Sequence, residues 1–301
     1  MDKLKFAGFI MTYNRTEILV QTIEIVFQQS FPPEKLLIVD NSDNDITKNI
    51  INRLKLRGLP LEYVHTGYNS GPAGAANLGL KLLTEEGFDW IYWGDDDDPP
   101  KFPRVFEDLL KIGEKYPKIG AIGSVGSKFN FKTGIMERFR DEELEEVLEV
   151  NAIGGNHNLI VNGNAIRTSK ILPDISLFFG FEEFDFLQRL KMEGYKIIVS
   201  GASLLEHRKL HNRLGTQKTY SLLPQKIKYS MNRKYYSDRN LIYILFYNLN
   251  APLAGIMVIL RVLAKSVFGF VDGFKSGFSN LKISMIAIYD GIFKRMGHRI
   301  K

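Results

Sequence analysis

Apolar residues recur through the first hundred positions in two alternating rhythms. Short runs at 6–12 (FAGFIMT), 36–40 (LLIVD), 61–65 (LEYVH) and 89–94 (DWIYWG) have the length and composition of buried strands. The segments between them carry apolar residues at helical spacing. In 16–30 these are Ile18, Leu19, Ile23, Val26 and Phe27. A second helix is expected over 45–57, stopped by Gly58, and the Gly/Ala-rich NSGPAGAANLGLKLL reads as a turn feeding a third. Strands alternating with helices predict an α/β fold with a parallel, doubly wound sheet.

Polar residues gather where these strands stop. Thr12-Tyr13-Asn14-Arg15 follows the first strand, Asp40-Asn41-Ser42-Asp43 the second, and Asp95-Asp96-Asp97-Asp98 the fourth. Ligands of open α/β sheets bind outside the carboxyl ends of the strands, so the three clusters are expected to line one crevice. Helix capping is the competing reading and is the better one for Asp43. In an extended segment side chains i and i+2 share a face. Asp95 and Asp97 then point one way and Asp96 the other. Two carboxylates on a rigid strand end suit a hard divalent cation that keeps waters and takes phosphate oxygens. Asp98, before Pro99-Pro100, reads better as the start of a turn or helix.

A second carboxylate cluster, Glu182, Glu183 and Asp185, sits among aromatics in FFGFEEFDFLQRL. Partial desolvation raises a carboxyl pKa and suits a general base, although helix N-terminal acids follow the same pattern. His207 is expected at a strand end, with structural and ligand roles evenly matched. Arg208, His211 and Arg213 are expected on a loop able to clamp a diphosphate.

The ordered set FIMTYNR…VDNSD…NSGPAGAANLGL…WIYWGDDDDPP…FFGFEEFDFLQRL resembles family-2 glycosyltransferases of the GT-A fold, most nearly bacterial rhamnosyl- and galactofuranosyltransferases. The resemblance covers about residues 6–210. It implies a metal-dependent, inverting transfer from a nucleotide-diphosphate sugar, UDP- or dTDP-linked, to a glycan or lipid-linked glycan. It places Mg²⁺ or Mn²⁺ on Asp95 and Asp97 with His207. It puts Thr12, Asn14, Arg15, Asp40, Asn69, Gly71, Asn77, Asp95 and Asp96 at the donor, and Trp93 and Glu182 at the acceptor. Glu183 maps to the catalytic base, with Asp185 as the alternative. A GT-A-like nucleotidyltransferase and a non-catalytic nucleotide-binding protein at a membrane surface are the rival readings.

Charge divides the chain. Of 301 residues, those from Leu205 onward carry 17 Lys+Arg against 4 Asp+Glu, a net of +13, within an overall +6. Cysteine is absent, which excludes disulfides and thiolate metal sites and fits a reducing compartment. The N-terminus reads as a first strand and not as a signal peptide. Two regions follow: a GT-A part over 1–218, its donor half about 1–100 and its acceptor half about 101–218, and a basic helical extension over 219–301. The extension opens on Tyr235-Tyr236-x-x-Arg239-Asn240, similar to an element that follows the catalytic domain in rhamnosyltransferase relatives. Residues 241–260 lack charge, but Asn248, Asn250 and Pro252 interrupt them, favouring two short helices over a span. Met285, Ile288, Tyr289, Ile292, Phe293, Met296 and Ile300 form a helical stripe, with Lys282, Lys294, Arg295, Arg299 and Lys301 outside it. That pattern suits a peripheral helix on the anionic cytoplasmic membrane face or a homo-oligomer contact. No nucleic-acid-binding module is recognisable.

Overall fold

The computed structural model describes residues 4–154, 158–215 and 231–300. Its first half follows the predicted alternation: β1 (Phe6–Thr12), α1 (Thr16–Phe27), β2 (Lys35–Asp40), α2 (Ile46–Leu56), β3 (Leu61–His65), α3 (Gly71–Glu85), β4 (Trp90–Asp95) and α4 (Val105–Lys115). Then come β5 (Ile119–Gly123), a small sheet of β6 (Gly126–Asn130), β7 (Ile135–Glu137) and β9 (Ala152–Ile153), and the edge strand β8 (Val147–Glu149). The chain returns through β10 (Leu159–Asn162), α5 (Gly163–Ser169), α6 (Glu182–Met192), β11 (Lys196–Ser200) and α7 (Gly201–Leu210).

The main sheet has the order β3-β2-β1-β4-β10-β5-β11-β8. It is mostly parallel, but β10 runs antiparallel to both β4 and β5, and β8 antiparallel to β11. The result is the expected α/β fold, a mostly parallel sheet flanked by helices with a C-terminal helical extension. Period-two alternation separates two cores. Phe6 and Ile10 of β1 face Leu19 and Ile23 of α1, Ile51 of α2 and Phe106 of α4. Ala7, Phe9 and Met11 face Ala76 and Leu80 of α3, Ile166 of α5 and Phe186 of α6. Each fully buried large apolar side chain contributes about 1.5–3 kcal/mol. Ile18, expected on the buried face of α1, is 45% exposed, because the buried stripe is Leu19, Ile23 and Val26.

The C-terminal part forms α8 (Met231–Tyr243), a π-helical turn at Ile244–Asn248, α9 (Pro252–Phe268) and α10 (Phe274–Ile292). The predicted boundary at 218/219 lies outside the described residues. The helices pack on the sheet-bearing part: Leu241, Ile242, Leu245 and Val258 share a core with Phe129, Leu177 and Phe184. The uncharged 241–260 run is broken between Asn248 and Pro252, as its polar residues imply. Pro252–Val271 is long and apolar enough to cross a membrane, with mean hydropathy 1.9 and 28% of it buried. Arg261, mid-way along α9, nevertheless donates to the carbonyls of Thr133 and Gly134 (3.2 and 2.7 Å) and fastens the helix to the β6–β7 turn.

The predicted terminal stripe is corrected. Helix α10 ends at Ile292, and Lys294 takes a left-handed φ of 56° that turns the chain. Ile288 is buried, and Met296 and Ile300 fold back onto the domain, whereas Met285, Tyr289 and Phe293 are exposed. The residues therefore do not form one lipid-facing strip.

Candidate active site

Strand register brings the polar clusters into one row. Thr12 lies opposite Asp40, Asp40 opposite His65, and Met11 opposite Asp95. Beyond this row the loops after β1, β2 and β3 enclose a cleft of about 380 Å³, walled by Tyr13, Asp43, Asp45, His65, Tyr68 and Asn69 among others. Side-chain bonds hold the walls. Asn14, at φ 54°, donates its backbone N–H to Ser42 Oγ (2.8 Å) and its amide to Asp43 Oδ1 (3.3 Å). Asn41 Oδ1 accepts from Ser70 N–H and Oγ (3.0 and 2.7 Å), tying the β2 loop to the start of α3. His65 Nδ1 accepts from Gly67 N–H (3.1 Å), so Nε2 carries the proton given to Ser42 O (2.6 Å).

Several expected donor residues make hydrogen bonds within the fold. Asp40 is fully buried and both its oxygens are engaged, by Ser42 N–H (2.8 Å) and Tyr63 OH (3.0 Å). It shapes the loop and has no surface left for a base or ribose. Asn77 gives its amide to Pro173 O (2.8 Å), locking α3 to the segment before α6. Asn69 accepts from Gly71 N–H (3.0 Å), an Asx turn that starts α3. Asp43 does not cap α2, whose N-cap Asp45 makes no side-chain cap bond, so the capping expectation for Asp43 is corrected.

The aspartate run leaves the strand at Asp95 and turns at Asp96-Asp97. Asp96 is buried: Thr12 Oγ1 donates to Oδ2 (2.7 Å), and Thr22 Oγ1 to its backbone carbonyl (2.7 Å). Thr12 and Asp96 thus staple β1 to β4 and offer nothing to a donor. Arg15 Nη1 reaches Asp96 (3.2 Å) and Asp97 (2.5 Å). Asp97 is half exposed, so this pair contributes ~0–1 kcal/mol. Asp98 pairs with Lys101 and caps no helix, since α4 begins only at Val105.

Across from β4, α6 begins with its acids. Burial first, then Glu183 and the neighbouring aspartates, push the Asp95 carboxyl up to about 7. Burial, Glu183 and Asp95 hold Glu182 well above the usual carboxylate range. It is 5% exposed, and its Oε2 has no hydrogen-bond partner. Glu183 is half-buried between these two groups' fields. Asp185 is wholly buried; Arg189 Nε (2.8 Å) and Asn248 Nδ2 (2.7 Å) occupy its oxygens. Both Asp185 oxygens are thus engaged within the fold, while Glu183 is half-buried. Trp93, also fully buried, lies against Phe9 and Phe186. Trp93 and Glu182, both expected at the acceptor, are buried.

Carboxylate oxygens short of positive charge are what a hard cation takes, and two of them leave positions for phosphate and water. The charges acting on Asp95 are those of carboxyls, Glu183 and Asp96 to Asp98, whereas Asp97 already carries the Arg15 guanidinium, which a cation there would share or displace. The expected trio with His207 is not assembled: among the described residues no three His, Asp or Glu side chains form a metal-holding group. His207 lies in the last turn of α7, not at a strand end, with its ring edge-on to Phe102 and the Asp98 charge acting on it. Burial lowers its pKa, and Nε2 has no hydrogen-bond partner. Arg208 belongs to the same helix and is taken up by Asp141 and Phe139 O, so it clamps no diphosphate.

Sequence comparison decides the lineage. The profile described as glycosyl transferase family 2 matches residues 9–175, more than half of the chain. The chain belongs to glycosyl transferase family 2. The galactofuranosyltransferase GlfT1 of Mycobacterium tuberculosis H37Rv is 27% identical over 201 residues, 62% of this chain and 64% of that protein, so the match spans just under two thirds of the relative. A Campylobacter jejuni GalNAc(5)-diNAcBac-PP-undecaprenol β-1,3-glucosyltransferase is 27% identical over 38% of this chain and 37% of its own length. Among solved structures, a mannosyltransferase of Pyrobaculum calidifontis, in complex with GDP-Man and Mn²⁺, superposes with TM-score 0.54 at 11% identity, covering 97% of this chain and 88% of that one. GalNAc-T7 with UDP, GalNAc and Mn²⁺ gives TM-score 0.58 at 10% identity over 97% and 56%. These likenesses carry the GT-A fold.

In this family 2 chain, Tyr13 lines the cleft with the first strand-end cluster, whereas His65 and Tyr68 were not singled out from sequence. Applying the strand-end rule to the third strand as well points to His65-Thr66-Gly67-Tyr68. The loop before α6 was also missed, although Gly180 within it is a visible signal. Phe178 (φ 61°, ψ −60°), Gly180 (φ 84°) and Phe181 (φ 68°) all have positive φ. For each phenylalanine this costs about 1–3 kcal/mol, which the surroundings must supply.

Proposed function

We propose that this chain is an inverting, metal-dependent glycosyltransferase. It moves a sugar from a nucleotide-diphosphate donor, UDP- or dTDP-linked, to a hydroxyl of a lipid-linked or cell-surface glycan. The observation that carries the reading is the opposition of Asp95 at the end of β4 to Glu182 and Glu183 at the start of α6. These carboxyls are crowded and desolvated beside the strand-end cleft. The names of the family relatives, and the nucleotide sugars and Mn²⁺ held by the fold neighbours, support it.

The cleft between Tyr13, Asp43 and Tyr68 would take the nucleoside, with aromatic faces and carboxylates for base and ribose. Asp95 and Asp97 would hold Mg²⁺ or Mn²⁺, which when bound supplies charge neutralisation to the departing diphosphate. Arg15 adds a guanidinium fork on the same side. Glu183 removes the proton of the acceptor hydroxyl, with the buried Glu182 carboxyl next to it in the chain. A single base acting in one displacement inverts the anomeric centre.

Membrane association is part of the same proposal, relocated by the fold. The turn joining α9 and α10 exposes Phe268, Val271, Phe274 and Phe278 at 50–78%, flanked by exposed Lys265 and Lys275. Apolar wedges among lysines match an anionic lipid surface on the cytoplasmic face. The test of the catalytic reading is a thermal-shift screen of nucleoside diphosphates with and without Mn²⁺, followed by donor hydrolysis. A Mn²⁺-dependent rise in Tm for one nucleoside diphosphate is expected. Stabilisation by none of them overturns the reading.

A further inference from the structure

The clamp that holds the acid-bearing loop comes from outside the catalytic sheet. Arg239 and Asn240 of α8 are fully buried. Asn240 Nδ2 donates to the carbonyls of Leu177 (3.0 Å), Phe179 (2.9 Å) and Gly180 (2.7 Å). Arg239 Nη2 donates to the same Leu177 carbonyl (2.8 Å), and Nη1 to Gly297 O (2.8 Å). The guanidinium is flanked by the Tyr235 and Tyr236 rings, 5.4 and 4.9 Å from their centroids, and Nε bonds Asn240 Oδ1 (2.9 Å). The Tyr-Tyr-x-x-Arg-Asn element is thus one preassembled donor array aimed at one strained loop.

That loop sets the catalytic geometry. Its positive-φ residues Phe178, Gly180 and Phe181 lead directly into Glu182 and Glu183. The Phe178 carbonyl also accepts from Ala73 N–H (3.2 Å) at the start of α3, so the same backbone touches the donor side. Left-handed and γ-like backbone at non-glycine residues persists only where neighbours over-determine it. Five buried donor contacts from α8 to the loop and the chain's end are what does so here. A shift of the loop would move Glu183 relative to Asp95 while leaving the strand-end cleft in place.

We propose that Arg239 and Asn240 are positioning residues of the transfer reaction, setting the place of Glu183 through the 177–181 backbone. This rests on the glycosyltransferase reading. It also makes the C-terminal helices part of the catalytic centre and not only a surface anchor. Asn248, bonded to Asp185 one turn into α6, adds a second tie from the same region.

The experiment compares the full chain with Asn240→Ala in three measurements: amide hydrogen exchange, nucleoside diphosphate affinity with Mn²⁺, and steady-state transfer. Exchange should rise at 177–183 and stay unchanged in β1 to β4. Diphosphate affinity and donor KM should hold, while kcat falls on the order of 10- to 100-fold, the usual cost of a small misplacement of a reacting group. Should Asn240→Ala fail to fold, Arg239→Lys carries the same test, since it keeps the buried charge but loses the fork; a smaller fall in kcat in the same direction is expected. Wild-type kcat in a variant with raised exchange overturns the proposal. So does a parallel loss of kcat and diphosphate affinity, which marks general destabilisation. A wild-type chain that transfers from no donor sinks the transferase reading itself, and raised exchange at 177–183 would then mark a purely structural clamp.

Discussion

Replacing Gly71 by alanine tests how closely the donor and acid sides of the site are fitted. Gly71 opens α3 at φ +70°, and a Cβ placed there would lie 2.1 Å from the Phe178 carbonyl oxygen, about 0.9 Å inside the 3.0 Å that such contacts keep. Three costs add. The left-handed backbone costs an alanine about 1–2 kcal/mol. Pushing backbone aside in a packed site costs about 1–3 kcal/mol. The displaced carbonyl weakens its bond from Ala73 N–H, worth about 0.5–1.5 kcal/mol. Reduced freedom of the unfolded chain returns about 0.4–1 kcal/mol. The net destabilisation is about 1.5–6 kcal/mol, centred at ~4, a large share of a domain's usual ~5–15. Gly87→Ala is the control: its φ is +84°, but nothing lies within 4 Å of the added Cβ, so only about 1 kcal/mol is lost. Urea unfolding of both variants, fitted with a common m-value, gives the difference directly. If the two fall by the same amount within about 0.5 kcal/mol, the close approach of Phe178 to Gly71 is not what holds the two sides together.

The remaining expectations address the chemistry and the surface. Asp97→Ala should abolish transfer and Mn²⁺-dependent diphosphate binding with the fold intact by circular dichroism; full activity of that variant, or of the wild type in EDTA, rejects the metal role. Glu183→Gln should lower kcat on the order of 10²–10⁴-fold with donor affinity unchanged. Asp185→Asn should instead lower stability, by about 1–3 kcal/mol, through the weakened contact with Arg189; the opposite pattern would assign the base to Asp185. The intact chain should sediment with phosphatidylglycerol vesicles at low salt and be partly released at high salt, and Phe274→Asp/Phe278→Asp should stay in the supernatant. Retention after a carbonate wash would indicate a true span at 252–271, and concentration-dependent self-association without lipid binding would assign the face to a second copy.

The sequence alone determined the architecture of the first hundred residues. Runs such as FAGFIMT and DWIYWG are buried on both faces, and this leaves a signal in composition that needs no partner to be read. It likewise located the two acid clusters, because polar side chains at strand and helix ends are local facts. Which acids remain available for chemistry was decided only by tertiary structure. Asp40, Asp96 and Asp185 look like their neighbours along the chain, yet each has its oxygens taken by residues 2 to 84 positions away. The same holds for the tail, where a clean helical stripe dissolved because Lys294 turns the chain and the fold buries Ile288 and partly covers Met296 and Ile300. Periodicity reports which face of a helix is apolar, but not what will cover it. Arg239 and Asn240 show the limit most plainly: the sequence marks them as part of a Tyr-Tyr-x-x-Arg-Asn element but not what they bond. Only the meeting of α8 with the 177–180 carbonyls turns them into the interior of the site.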